Sequence, residues 1–307
     1  MIVTVTFNPS LDRTMAFASL ERGEVQRADE TLEDPGGKGV NVTRFINARG
    51  GESVAVLPAG GPMGHALTSA LDEARIPYRA VPIAGRTRAN VAVVEPDGIT
   101  TKLNEAGPVL SDDEVEALLA AVAELATDGG WVAVAGSLPT GQSTDVVARV
   151  AEVARKAGSK FALDISGQAL ADGLASKPDL IKPNEEELGE ILGRELVTRE
   201  EVLRGCQEAR DLGAGTVICS LGGDGAVLVD AEGIWSVKGQ KVPVRSTVGA
   251  GDSLMAGFLH AGGQGPEALK VGVAWATAAV QTPGTGVPDA SLIDPDAVEV
   301  SAVDFPA

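Results

Sequence analysis

The chain has 307 residues, of which 44% are hydrophobic, 22% charged and only 3% aromatic, and its net charge is −18. A nucleic acid would meet repulsion and few rings to stack on, so an anionic ligand must be caught by a local cationic patch working against the global field. Two cysteines and two histidines (Cys206, Cys219, His65, His260) are too few for a zinc constellation or a triad of obvious order, and no apolar run approaches the roughly 18 residues of a membrane span.

Met1 to Phe7 is too short and too uncharged for a secretory leader, so the chain reads as cytoplasmic. Ile2 to Phe7 is the first expected buried strand. Asn8-Pro-Ser-Leu-Asp12 follows it, where a dinucleotide-binding protein would carry GxGxxG, so nicotinamide chemistry is disfavoured. Asp12 then falls at a strand's carboxyl end. Residues 13–34 are polar and β-branched, without helical periodicity. Pro35-Gly36-Gly37-Lys38-Gly39-Val40-Asn41 opens a helix whose apolar face is Val42, Phe45 and Ile46. Its spacing is not that of a P-loop. Two readings stand: backbone N–H groups with Lys38 hold a phosphate or a sugar hydroxyl, or the glycines serve only close packing.

Further strands are expected at Ser53–Leu57, Trp131–Ala135, Phe161–Asp164, Leu180–Lys182 and Thr216–Ser220. Helices are expected at Ser111–Ala126, Thr144–Ala157 and Arg199–Leu212, the first opening with a capping box. This alternation predicts an α/β fold: a three-layer, doubly wound, mostly parallel sheet with ligands at the strands' carboxyl ends. Residues 13–34 and about 86–105 break the alternation and are expected to pair as a small β-sheet lid on a single domain spanning 1–307. The second of them begins with Gly85-Arg86-Thr87-Arg88-Ala89-Asn90, two cations suited to a phosphate.

Lys182-Pro183-Asn184-Glu185-Glu186-Glu187 ends a strand and opens a helix. The glutamates either complement the helix dipole or, with Asn184, order magnesium or its waters while Lys182 faces nucleotide phosphates. Ser220-Leu221-Gly222-Gly223-Asp224-Gly225 is a glycine turn against which an adenine or ribose could lie. Ser246-Thr-Val-Gly249-Ala250-Gly251-Asp252-Ser253 puts a carboxylate inside a glycine-rich helix start. It reads as an anion hole for charge on a transferring phosphoryl group, with Asp252 as proton acceptor. A tight loop with a dipole-stabilising Asp is the alternative. From Thr282 onward the chain reads as a loop and a weakly packed end.

Taken together, STVGAGDS (Ser246–Ser253), GGKGxN (Gly36–Asn41), NPSLD, GRTRxN, GSLP (Gly136–Pro139), KPNxxE and SLGxxG occur in an order that resembles the ribokinase-like sugar kinases of the phosphofructokinase B branch. The resemblance implies transfer of the ATP γ-phosphate, with Mg²⁺, to a hydroxyl of a phosphorylated sugar. It makes Asp252 the base and the N–H groups of Gly249, Ala250 and Gly251 the anion hole. Asp12, Gly36, Gly37, Lys38, Asn41, Arg86, Arg88 and Ser137 would contact the sugar phosphate. Lys182, Asn184, Glu187, Ser220, Gly222 and Gly225 would form the nucleotide side, with Asn184 and Glu187 near the metal through water. A lysine at position 38, and less so Glu21–Val25, resembles 1-phosphofructokinases, which implies fructose 1-phosphate as substrate. Tagatose 6-phosphate and fructose 6-phosphate stay open; a non-catalytic sensor would have no need to keep Asp252 and both glycine turns, and a neutral-sugar kinase would have no need of Lys38, Arg86 and Arg88. Relatives also dimerise through their lids, so a homodimer is expected. One departure is Pro62-Met63-Gly64-His65, where many relatives carry an acidic residue.

Overall fold

The computed structural model describes residues 1–96, 99–282, 284 and 286–304. The expected lid segment 86–105 contains 97–98, and the expected loose tail contains 283, 285 and 305–307, which lie outside that set. Strand β1 (Ile2–Val5) is buried on both faces and sits inside a parallel sheet. The chain then leaves that sheet for β2 (Ser10–Ala16) and β3 (Glu30–Gly36), an antiparallel pair, before α1 (Lys38–Asn47) returns it to the main body. β4 (Ser53–Ala59), α2 (Gly61–Glu73) and β5 (Tyr78–Pro82) build one flank. β6 (Arg88–Val94) and β7 (Thr100–Asn104) then join β2 and β3 in a second sheet of order β3-β2-β6-β7.

The other half alternates as the sequence predicts. α3 (Asp112–Leu125) starts at Ser111, whose side chain accepts from the Glu114 N–H while Glu114 reaches back to the Ser111 N–H. β8 (Trp131–Ala135), α4 (Asp145–Lys156), β9 (Lys160–Asp164), α5 (Gln168–Gly173), β10 (Leu180–Ile181), α6 (Glu185–Leu192), α7 (Arg199–Asp211) and β11 (Thr216–Ser220) follow. β12 (Ala226–Val229) and β13 (Ile234–Lys238) turn antiparallel, and α8 (Ala250–His260) and α9 (Gly265–Ala279) complete the helices. The tail is a correction to the sequence reading. Glu299–Ala302 forms β14, paired antiparallel with β13 at the sheet edge, and Val298 is buried against α9's layer.

Among the described residues the main sheet has ten strands, ordered β14-β13-β12-β11-β10-β9-β8-β1-β4-β5. Alternate residues of its strands feed opposite cores, as the period of two requires. Val3, Val132, Phe161, Leu163 and Val217 pack with α3, α4, α5 and α7 on one face. Ile2, Trp131, Ala133, Ala162 and Ile218 pack with α1, α8 and α9 on the other. The result is the three-layer architecture of a parallel sheet covered on both faces. Cys206 on α7 and Cys219 on β11 are both buried free thiols in the first core, and the neighbouring Cys219, then burial, push the Cys206 thiol well up. Both act as small hydrophobes. No described helix is long and apolar enough to cross a membrane.

Candidate active site

Strands β11, β10, β9, β8, β1 and β4 run parallel, so the turns at their carboxyl ends share one edge. The N-termini of α1 and α8 come to the same region, because Asn41 Nδ2 on α1 donates to Asp252 Oδ2 on α8 at 2.8 Å. Gly249 precedes α8 with φ +79°, a left-handed conformation that suits glycine. Asp252 follows in the first turn and is buried. Burial, then the nearby Asp164 carboxylate, push Asp252 up to about 6, while Asn41, Lys38 and Lys182 oppose the rise. A carboxyl whose proton affinity lies near neutrality can gain or lose a proton close to physiological pH.

Asp164, at the last position of β9, is the residue that sequence reasoning missed. Its carboxylate is fully buried; Oδ1 accepts from Lys38 Nζ at 3.0 Å, and Oδ2 lies 3.2 Å from Lys182 Nζ. Burial alone would raise its proton affinity, but the two lysines outweigh burial and hold it below the usual carboxylate range. The available signal was an acid ending an otherwise apolar strand, Phe161-Ala-Leu-Asp164, on the ligand edge of the sheet. Lys38 also lies 3.9 Å from Glu187 Oε1, and Asp164, then Glu187, raise its proton affinity over the opposing effect of burial. Lys182 is only 5% exposed. It also reaches the glycine turn, since a Cβ on Gly251 would stand 3.3 Å from its Nζ.

The remaining nucleotide-side residues sit together. Asn184 Oδ1 accepts from the Glu187 N–H at 2.7 Å and Glu187 Oε2 accepts from the Asn184 N–H at 3.0 Å, so both side chains cap α6. Asn184 and Ser220 form a parallel bridge, and the Ser220 N–H donates to the Pro183 carbonyl at 3.0 Å. The Gly222–Gly225 turn therefore abuts the Lys182–Glu187 turn. Gly225, at φ +88°, cannot carry a side chain because its Cβ would strike the Val237 carbonyl.

On the other side, Asp12 lies on β2 in the small sheet, and not in a turn ending β1 as its sequence position suggests. Its Oδ1 accepts from Ser10 Oγ at 2.6 Å and from Asn90 Nδ2 at 2.9 Å. Gly36 faces it so closely that any Cβ would collide with the carboxylate, and Gly37 adopts φ +122°. Asn8 Oδ1 and Asn90 Oδ1 are buried and have no hydrogen-bond donor among the described residues, and Gly107 packs directly over Asn8 Oδ1. Ser137 is exposed beyond β8, next to Gly136, whose added Cβ would lie 3.7 Å from the Lys38 backbone nitrogen. The three cations expected to contact the sugar phosphate have different partners. Arg88 donates to the Asn8 and Glu105 carbonyls at 3.2 and 3.1 Å. Arg86 is exposed against Gly61, and Lys38 is held by Asp164. Gly36→Ala is expected to displace Asp12 and raise the KM for a hydroxylated substrate by about tenfold. It should cost about 1–3 kcal/mol of stability by overpacking, read from steady-state kinetics and a thermal melt.

The sequence profile of the pfkB carbohydrate kinases matches residues 5–291. The chain belongs to the pfkB family of carbohydrate kinases. This kinase is 39% identical over 271 residues to a 1-phosphofructokinase of Rhodobacter capsulatus, covering 85% of this chain and 83% of the relative. It is 35% identical to the ATP-dependent 6-phosphofructokinase isozyme 2 of Escherichia coli, covering 92% and 94%. The crystal structure of the Escherichia coli phosphofructokinase-2 in complex with potassium superposes with a TM-score of 0.89 at 33% identity, over 95% of this chain and 96% of that one. The kinase is thus a phosphotransferase with a large mostly parallel sheet and a separate smaller one.

Proposed function

We propose that the kinase transfers the γ-phosphate of ATP to the 6-hydroxyl of fructose 1-phosphate, giving fructose 1,6-bisphosphate and ADP. The observation that carries this reading is the buried Asp252 at the start of α8, held by Asn41 and raised to about 6. Asp252 takes the hydroxyl proton as the oxygen bonds to the γ-phosphorus and the bond to the β–γ bridging oxygen breaks, leaving ADP. The N–H groups of Gly249, Ala250 and Gly251 would serve the transferring group, that of Ala250 by giving up its long 3.4 Å bond to the Thr247 carbonyl, with Lys182 beside them. Asp12, Gly36, Gly37 and Asn41 orient the sugar. Arg86, Arg88 and Ser137 flank its phosphate, and Lys38 stands between the two halves. Asn184, Glu187, Ser220, Gly222 and Gly225 line the nucleotide. The small sheet serves as the lid of one domain spanning 1–307.

The donor set fits a Mg²⁺ carried on the nucleotide, not one caged by protein. Among the described residues no group of three acidic, histidine or cysteine side chains converges, and capping occupies one oxygen each of Asn184 and Glu187. Their remaining capacity suits metal-bound water. Magnesium there would neutralise phosphate charge during transfer. The 1-phosphofructokinase relatives and Lys38 favour fructose 1-phosphate, and the 35% identity to a 6-phosphofructokinase supports fructose 6-phosphate as the second reading. A cytoplasmic location agrees with sugar-phosphate chemistry. Dimerisation is proposed through the lid face carrying Thr14, Leu32 and Ala92 in register, on which Leu32 is 54% exposed. Leu32→Asp is expected to convert the dimer to a monomer in light scattering, and an unchanged mass would remove this surface from consideration.

The test of function is ADP release with MgATP and fructose 1-phosphate, fructose 6-phosphate, tagatose 6-phosphate, fructose or adenosine, compared by kcat/KM. The expected result is a clear preference for fructose 1-phosphate. Preference for a 6-phosphate would reverse the sugar in the site, and no turnover with any would overturn the reading in favour of a sensor. The pH profile is a second test. Because the base must be ionised, activity is half-maximal near pH 6, approaches its full value about one pH unit above and falls roughly tenfold per pH unit well below it. An acid limb near pH 4, the value of a free aspartate, would mean that Asp252 is not raised by its surroundings and would remove the poised base from the reading.

A further inference from the structure

Two lysines from opposite halves of the site meet on a single buried carboxylate. Lys38 starts α1, the element that presents Asn41 to the base. Lys182 follows β10 and leads into the nucleotide turn. They are 144 positions apart in the chain, yet each has an Asp164 oxygen within 3.2 Å. The two attachments differ in kind. Lys38 makes an aligned hydrogen bond to Oδ1, whereas Oδ2 has a charge contact with Lys182 but no hydrogen bond of good geometry. Lys182 is therefore held by charge without being locked in direction, and it is almost wholly buried.

The geometry points to Asp164 as a positioning residue that fixes the ammonium groups of Lys38 and Lys182 relative to each other and to Asp252, so that acceptor-side and donor-side cations are set before substrates arrive. A buried ammonium without a counter-charge is strongly disfavoured, and without Asp164 both side chains would lose the partner that defines their place. The charged groups around Asp252 are Asp164 from β9, Lys38 and Arg44 from α1, and Lys182 from the turn after β10. Asp164 is the one whose charge opposes ionisation of Asp252, so it holds the base's proton affinity up while holding the lysines in. This role rests on the reading of Asp252 as the base, but its effect on the lysines does not.

The experiment is Asp164→Asn, with Asp252→Asn as a control, read by pH-dependent kinetics and by calorimetric binding of ADP without sugar. The expected result for Asp164→Asn is an acid limb moved about one pH unit lower, a KM for ATP and for sugar phosphate raised about tenfold, and ADP binding weakened by a similar factor. If the variant loses activity only in proportion to its unfolded fraction, with the acid limb and ADP binding of the folded protein unchanged, the positioning role is overturned. If Asp164→Asn fails to fold, Asp164→Asn/Lys182→Met removes both buried charges together. Asp164 acts on Asp252 more strongly than Lys182 does, so the acid limb should still lie below that of the unaltered protein. A limb at or above the original position would overturn the proposal. Substantial activity in Asp252→Asn would instead sink the base assignment, leaving ADP binding to decide the role of Asp164.

Discussion

Asp252→Asn is expected to lower kcat by about 10²–10⁴-fold, the range a positioned general base contributes, with ADP affinity changed less than about threefold. The same substitution should make the protein more stable. Asp252 is buried, and its surroundings push its carboxyl up to about 6 when folded, against 3.8 in the free side chain. Between roughly pH 4 and 6 the folded state binds a proton that the unfolded state does not, so stability falls as pH rises through that window. Above it the full cost of about 3 kcal/mol is present. Asparagine keeps the shape and can still accept from Asn41 without that cost. A gain of about 1–3 kcal/mol is expected at pH 7.5, read as a melting temperature higher by about 2–5 °C, and it should vanish near pH 4. A variant that is both inactive and less stable would show that Asp252 is a structural carboxylate.

Lys182→Met is expected to combine two losses. Removing one partner from a buried ion pair strands the other charge, a cost of about 3–5 kcal/mol. Because Lys38 remains on Asp164 at 3.0 Å, the lower end, about 3 kcal/mol, is expected in denaturant titration. Losing the cation beside Gly251 should also cut kcat/KM for ATP by about 10²–10³-fold, the scale of one electrostatic donor aimed at developing charge. With a positive charge gone, the base holds its proton more tightly, so the acid limb moves to higher pH, opposite to Asp164→Asn. A limb that stays in place would mean that Lys182 does not sense the reacting centre.

How far the amino-acid order alone carries depends on how local the information is. β8 and β11 are legible from runs of apolar, β-branched residues, and α3 from Ser111 with Glu114 three positions on, because these signals lie within one element. The glycine-rich helix starts at Gly37 and Gly249 are legible because positive φ and close approach demand glycine locally. Asp164 is not: it looks like the end of a strand until folding places lysines from 126 positions before and 18 after against it. Asn41 is a second case. Its motif suggests a sugar contact, but its amide is bonded to a residue 211 positions away. The antiparallel edge had a readable cue, two short apolar runs around Asp230-Ala-Glu-Gly233, which pair as β12 and β13. β14 had almost none, because an edge strand exposed on one side needs little hydrophobic content.

The central place of β1 has a consequence for biosynthesis. Its neighbours are β4, made soon afterwards, and β8, which begins at Trp131. Until β8 leaves the ribosome, β1 presents a row of unpaired amides and carbonyls along a strand that is apolar but for Thr4. At usual elongation rates that interval is on the order of 10 s. An open edge of this kind is what chaperones and aggregation compete for. Substitutions that slow synthesis or weaken β8 should therefore reduce soluble yield before they reduce the activity of the molecules that fold.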